Sequence, residues 1–255
     1  MRSARNCWDL ISGSVAMNLR QDVSSYYLKY AWWFIEPLMQ FITLFIIFGI
    51  FQSPRISYYA DFLLCGIIAW QWFARGVNNN AGSVLQSINI SINYPVHTIF
   101  FPVITFIQDT IKHLLVFSIM LLFFAFLKGV SAAWIYLPLI FLSQGILVMG
   151  AGALGAALVP FVPDLRLIIG IIVSLMFFAS GVFFDISTMV HPQYQQILYM
   201  NPMAVYISSY RSVLSHGQVP DLSLLCCALG VSMAILILAG FLLIRFNSLY
   251  TRISK

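Results

Sequence analysis

The chain has 255 residues, of which 61% are apolar and 8% charged, with a net charge of +5 and a mean hydropathy of +0.91. A soluble domain carries roughly 25% charged residues to solvate its surface, so a water-facing globule is excluded. The thirteen basic residues form no run, which excludes a nucleic-acid-binding patch.

Residues 7–23 place Trp8, Ile11, Val15 and Leu19 three or four apart, while Arg5, Asp9, Ser12 and Arg20 fall mostly elsewhere on the helical wheel. The spacing predicts an amphipathic helix lying at the cytoplasmic interface, with Trp8 at headgroup level. A solvated leader is the alternative. Residues 1–30 contain no uninterrupted apolar core, so no cleavable signal is expected and the first span should direct insertion.

A helix crossing ~30 Å of hydrocarbon needs about 20 residues. Six segments meet that length: Ala31–Phe51, Tyr58–Val77, Val103–Leu127, Trp134–Leu158, Leu165–Phe184 and Leu222–Ile244. The third can extend back towards His97, with Pro102 starting or bending it. An all-α integral membrane protein is therefore predicted, as a single domain. It comprises an interface segment at 1–30, a six-span bundle at 31–245 and a tail at 246–255.

Basic residues set the orientation. With the N-terminus in the cytoplasm, Arg2, Arg5, Arg20, Lys29, Arg75, Arg166, Arg245, Arg252 and Lys255 lie inside. Arg55, Lys128 and Arg211 lie outside, and Lys112 falls within a span. Both termini are expected to be cytoplasmic.

Between the second and third spans, Asn78 to Pro95 is polar and nearly uncharged, yet Val84, Leu85, Ile88 and Ile92 recur at helical spacing. A short cytoplasmic helix with one apolar face is predicted, and that face needs a partner. The fourth span carries Gly145, Gly150, Gly152, Gly155 and Ala156, which predicts close packing inside the bundle. Glycine is also commoner in membrane helices generally. Between the last two spans, His191-Pro192 opens a segment to Met200 and Asn201-Pro202 opens one to Leu214. Proline suits a first helical turn, so two short extracytoplasmic helices are predicted, dipping into the outer leaflet or capping the spans.

Chemistry is sparse. No Gly-rich loop ends in Gly-Lys-Ser or Gly-Lys-Thr, because the four lysines follow Leu28, Ile111, Leu127 and Ser254; the chain carries no P-loop. His97, His113, His191 and His216 are dispersed, and Cys7, Cys65, Cys226 and Cys227 lack metal-ligand spacing. No catalytic residue, metal site or bound cofactor is predicted. Asp109, Lys112 and His113, at i, i+3 and i+4 in the third span, read either as a self-neutralising cluster or as a proton relay. Aromatics at span ends (Tyr26, Tyr27, Tyr30, Trp32, Trp33, Phe34; Trp70, Trp72, Phe73) fit an interfacial belt. Aromatic faces also stack on sugars, so a glycan path is conceivable.

Three stretches carry a resemblance. They are Tyr26-Tyr27-Leu28-Lys29-Tyr30-Ala31-Trp32-Trp33-Phe34-Ile35-Glu36-Pro37-Leu38; Leu64-Cys65-Gly66-Ile67-Ile68-Ala69-Trp70-Gln71-Trp72-Phe73; and Gly181-Val182-Phe183-Phe184-Asp185-Ile186-Ser187, followed by Leu198-Tyr199-Met200-Asn201-Pro202-Met203 and Tyr210-Arg211. In this order and spacing they resemble the permease subunit of bacterial ATP-binding-cassette exporters of surface polysaccharide: O-antigen, capsule or teichoic acid.

The resemblance implies a homodimer of six-span permeases in the bacterial inner membrane, bound to separate ATPase subunits that supply ATP hydrolysis. It makes the helix bearing Val84, Leu85, Ile88 and Ile92 the coupling helix, and the outer helices a gate. It also implies a path for a lipid-linked glycan, with Tyr30, Trp33, Trp70, Trp72, Phe183 and Tyr206 as wall candidates. The rival readings are a permease for a drug or small lipid, and a proton-coupled transporter using Asp109 and Lys112.

Overall fold

In the computed structural model, residues 11–20, 31–52, 58–87 and 97–253 are described, and no strand occurs among them. The first helix, α1 (residues 11–20), turns Val15 inward and leaves Met17 exposed, as its amphipathic pattern requires; the rest of the predicted interface helix, including Trp8, lies outside the described residues. There follow α2 (Trp32–Gln52), α3 (Tyr59–Ala81), α4 (Ser83–Gln86) and α5 (Phe100–Lys128). A 3-10 turn (Ala132–Tyr136) leads into α6 (Leu137–Leu158), then α7 (Leu165–Ala179), α8 (Ile186–Met189), α9 (Pro192–Tyr199), α10 (Pro202–Leu214) and α11 (Leu222–Ile253).

Among the described residues, four helical stretches are long and apolar enough to cross a bilayer: Trp32–Gly49, Phe100–Lys128, Ala132–Leu158 and Leu222–Asn247. Helix α3 has the length, 23 residues, but carries Asp61, Gln71, Arg75 and three asparagines. It tolerates them because it is the central helix, packed against α2, α5, α6, α7 and α10 with most of its residues buried. The predicted fifth span, Leu165–Phe184, needs correction. Helix α7 stops at Ala179 after 15 residues, about 22 Å at 1.5 Å per residue, short of the hydrocarbon thickness. Ser180 ends it, and Gly181, at φ +67°, turns the chain. A left-handed turn there suits glycine, which has no Cβ to clash.

The glycine-rich α6 lies inside the bundle, as its composition predicts. Its most extensive partner is α11, and its second is α3. A Cβ on Gly150 would stand 2.9 Å from the Leu236 main-chain nitrogen, and one on Gly155 would stand 2.7 Å from the Ala81 Cβ. The two backbones approach because both positions lack a side chain. Helices α2, α5, α7 and α11 instead expose rows of large apolar residues, such as Leu38, Ile42 and Ile46 on α2 and Leu167, Ile171 and Leu175 on α7. In water such faces would aggregate; in lipid they need no cover.

The chain folds back at each end, so two faces are defined. Tyr58, Asp61, Lys128, Ser215 and Asp221 share one end, where Lys128 contacts both Asp61 and the Ser215 carbonyl. The other end joins Thr98 to Asn247 through a 2.8 Å hydrogen bond, and Tyr250 to the Ala157 carbonyl.

Candidate functional site

Two polar clusters interrupt this apolar bundle, one towards each end. The first is built by α3, whose Gln71, Arg75 and Asn79 recur at i, i+4 and i+8 and so share one face. Gln71 donates from Nε2 to the Gln40 Oε1 on α2 at 2.7 Å, and Arg75 donates to Gln71 Oε1 at 2.8 Å. Arg75 also stands 3.4 Å from Glu36 on α2. One turn further, Asn79 donates to both carboxylate oxygens of Asp109 on α5, at 3.2 and 3.0 Å. Lys112 approaches the same carboxylate at 3.7 Å and lies over the Trp33 ring. An ionised group at membrane depth is expensive unless paired, and each charge here has an opposite charge or an amide beside it. His113 lies flat on Trp72, the ring centroids 4.6 Å apart, and Phe141 stacks near both, 4.4 Å from the indole and 5.9 Å from the imidazole.

Beside this cluster opens a polar cleft of about 480 Å³, bounded by α1, Asn79 of α3, α4, α5 and Arg166. Val84, on α4, is fully buried and packs with Ala153, Ala156, Leu243 and Tyr250. Leu85 is half-buried, and Ile88 and Ile92 lie outside the described residues. The apolar face predicted for this helix therefore begins, at Val84, by docking on its own chain.

The second cluster organises the break after α7. Arg211, on α10, is 7% exposed and donates only to main-chain carbonyls: Nε to Phe62, Nη1 to Gly181 at 2.7 Å and Nη2 to Val182 at 2.6 Å. Its guanidinium stacks 3.3 Å from the centre of the Phe62 ring. Asn201 caps α10 by accepting from the Met203 N–H, and its Nδ2 donates to Ser180 Oγ at 2.8 Å. Tyr59 donates to the Phe183 carbonyl. The turn Ser180–Phe183 is thus held by α3 and α10 through its own carbonyls, which have no helical partner at such a break. A Cβ on Gly66 would meet Arg211 Nη2 at 2.6 Å and the Val182 carbonyl oxygen at 2.9 Å, so the guanidinium fits only against a bare backbone.

A pocket of about 390 Å³ opens beside this clamp. Asp185 and Asp221 stand on its wall, each accepting, through Oδ1, the N–H and hydroxyl of the serine two residues on. Asp221 also accepts from the Leu224 N–H, capping α11. The Ser223 hydroxyl, then the Leu224 N–H, hold its carboxyl below the usual carboxylate range.

The residues expected to line a path do not meet on one surface. Trp70 is buried against Phe73 and Phe177, Trp72 is buried in the His113 stack, and Tyr206 is buried and shares a hydrogen bond with Ser232. Phe183 and Trp33 are half-buried, and Tyr30 lies outside the described residues. The sequence alone places Arg211 outside and in the Tyr210-Arg211 part of the resemblance without assigning it a structural role, and it does not single out the Gln71–Arg75–Asn79 stripe. Both left a signal: a lone arginine inside an apolar helix, and polar residues every four positions in a span.

These features define a multi-pass, all-helical membrane protein with paired charges inside and no cluster of His, Cys, Asp or Glu able to hold a metal among the described residues. The particular resemblance follows from relatives. The chain is 25% identical over 212 residues to two proteins of Klebsiella pneumoniae named O-antigen export system permease protein RfbA, covering 82% of each chain. It is 22% identical over 232 residues to the protein of that name in Myxococcus xanthus, covering 89% of this chain and 88% of the relative. No family model matches the chain. The similarity to polysaccharide-export permeases read from the sequence is borne out along most of its length.

Proposed function

We propose that the chain is the transmembrane subunit of an ATP-binding-cassette exporter that carries a surface polysaccharide of the O-antigen type across the bacterial inner membrane. The observation that carries this reading is similarity over 82–89% of the chain to permeases named for O-antigen export, in a chain with four helical stretches long and apolar enough to cross a membrane. Two copies form the path, each with six membrane passages: the four long apolar helices, the shielded polar α3 and the short α7. Both termini are cytoplasmic, consistent with Arg75, Arg166 and Arg245 lying at the end opposite Lys128.

Hydrolysis of ATP belongs to a partner ATPase, since this sequence has no P-loop. The α4 region, from Val84 and Leu85 through Ile88 and Ile92, receives its movement. Trp33 and Phe183, half-buried, are the wall candidates with surface to offer a sugar; Trp70, Trp72 and Tyr206 support them from within. Tyr30 completes the set on the sequence alone. Nothing favours proton coupling, because Asp109 is bound by Asn79 and faces Lys112.

The test is deletion and co-purification. Cells lacking the chain should accumulate glycan internally, and a separate ATPase should co-purify with the tagged protein. ATP hydrolysis by the purified chain alone would refute the assignment.

A further inference from the structure

The pocket outside the Arg211 clamp has the chemistry of a sugar site. Its volume, about 390 Å³, falls within the ~300–1,000 Å³ of small-molecule sites. Five separate stretches build it: Phe62 of α3, the turn after α7 with the start of α8, the end of α9, one face of α10 with His216 beyond it, and the start of α11. Its polar groups point one way chemically. The Ser208 hydroxyl gives its proton to the Val205 carbonyl and the Ser212 hydroxyl to the Ser208 carbonyl, so both offer lone pairs to a ligand. Asp185 and Asp221 use Oδ1 for their own turns, and among the described residues no hydrogen bond engages either Oδ2. The Tyr199 hydroxyl and the His216 ring are the wall's remaining donors, so it offers more acceptors than donors.

A ligand complementary to such a wall is rich in hydroxyl donors. The carbons of Phe62, Ile186 and Leu224 give the same pocket apolar surface, which suits the C–H face of a pyranose. Charge narrows the class. Two carboxylates stand against one guanidinium, and that guanidinium is committed to three carbonyls. A uronate or phosphate-bearing unit would meet net repulsion, since like charges at a low-dielectric wall are costly.

We propose that each subunit holds a neutral glycosyl unit of its passenger polymer in this outer pocket, between Asp185, Asp221 and the Ser208–Ser212 face of α10. The proposal rests on the polysaccharide-export reading and adds a place and a sugar class to it. Such a site gives the emerging chain a foothold on the outer side, so that a unit already delivered is slow to slide back.

The experiment uses the full chain with its four cysteines replaced by alanine, carrying Ser208→Cys or Ser212→Cys, in intact exporting cells. A membrane-impermeant maleimide is applied to cells that make the polymer and to cells whose polymer synthesis is blocked. Modification of both positions should be several-fold slower in polymer-making cells, while Gln193→Cys, exposed on α9, reacts equally in both. Equal rates at positions 208 and 212 in the two cell types overturn the site, as does complete failure of the reagent to reach either. If such a result accompanies internal glycan accumulation on deletion, the site falls and the export function stands. With the purified variant in nanodiscs, maltotetraose should slow labelling and an oligogalacturonate of equal length should not; the reverse order overturns the neutral-sugar assignment.

Discussion

Replacing Arg211 by methionine keeps only the aliphatic stem of the side chain and removes all its donors. The Gly181 and Val182 carbonyls then lose a charged partner at 2.7 and 2.6 Å, and neither accepts from another main-chain N–H outside the regular helices. An unsatisfied buried carbonyl costs about 1–3 kcal/mol, giving roughly 2–6 kcal/mol for the pair. Part is returned, because the guanidinium no longer has to be held away from water, itself an expense of several kcal/mol. A net loss of about 2–4 kcal/mol is expected. At roughly 2–4 °C per kcal/mol for a chain of this size, the midpoint in detergent should fall by roughly 5–15 °C. Hydrogen exchange should rise at 180–187 before it rises in α6 or α11, because only the turn loses its anchors. Arg211→Lys should recover little, since one ammonium cannot span three diverging carbonyls. Gly66→Ala provides the independent check: its methyl occupies the guanidinium's place and should reproduce the same exchange pattern. An unchanged midpoint with unchanged exchange in both variants would refute the clamp.

Gly150→Ala should push α6 from α11 and destabilise by about 1–3 kcal/mol, read as a lower midpoint, because its Cβ meets the Leu236 main chain rather than a movable side chain. In a double-mutant cycle, Asp61→Asn and Lys128→Met should show coupling of about 1 kcal/mol or less, since the 2.9 Å pair is partly exposed; strict additivity would remove that link between α3 and α5. Asp221→Ala should lose about 1 kcal/mol of helix capping at neutral pH. The depressed carboxyl means this contribution is present above the ordinary carboxylate range and fades as pH falls through its lowered value, so wild type and variant should converge in acid unfolding scans. Ile88→Asp should leave ATP hydrolysis by the complex running while export stops; full coupling in that variant would move the coupling contact elsewhere.

The sequence made some elements plain and hid others for identifiable reasons. Helices α9 and α10 were legible to within a residue or two because Pro192 and Pro202 mark their first turns and Asn201 is a strong cap. The buried position of α6 was legible because glycines at 150, 152 and 155 have no use on a lipid face beyond their cost in rigidity. Span length in α7 was not, because hydropathy continues through Val182, Phe183 and Phe184 although Gly181 has already turned the chain. Hydropathy sums residues along a segment; a break is decided by a dihedral angle and by a distant arginine. Aromatic side chains misled in a similar way. Trp70 and Trp72 look like interface anchors in a list of residues, but α3 is surrounded, so they became packing for its neighbours.

On the proposed six-passage topology, the short α7 changes the membrane itself. About 22 Å of helix stands where lipid tails demand ~30 Å, so annular lipids on that flank must splay or shorten, or headgroup water must sink to the level of Ser180. A hydrated passenger exported along that flank, as proposed, would be stripped of its solvent over about three quarters of the usual depth, and the dielectric barrier it faces would be correspondingly thinner.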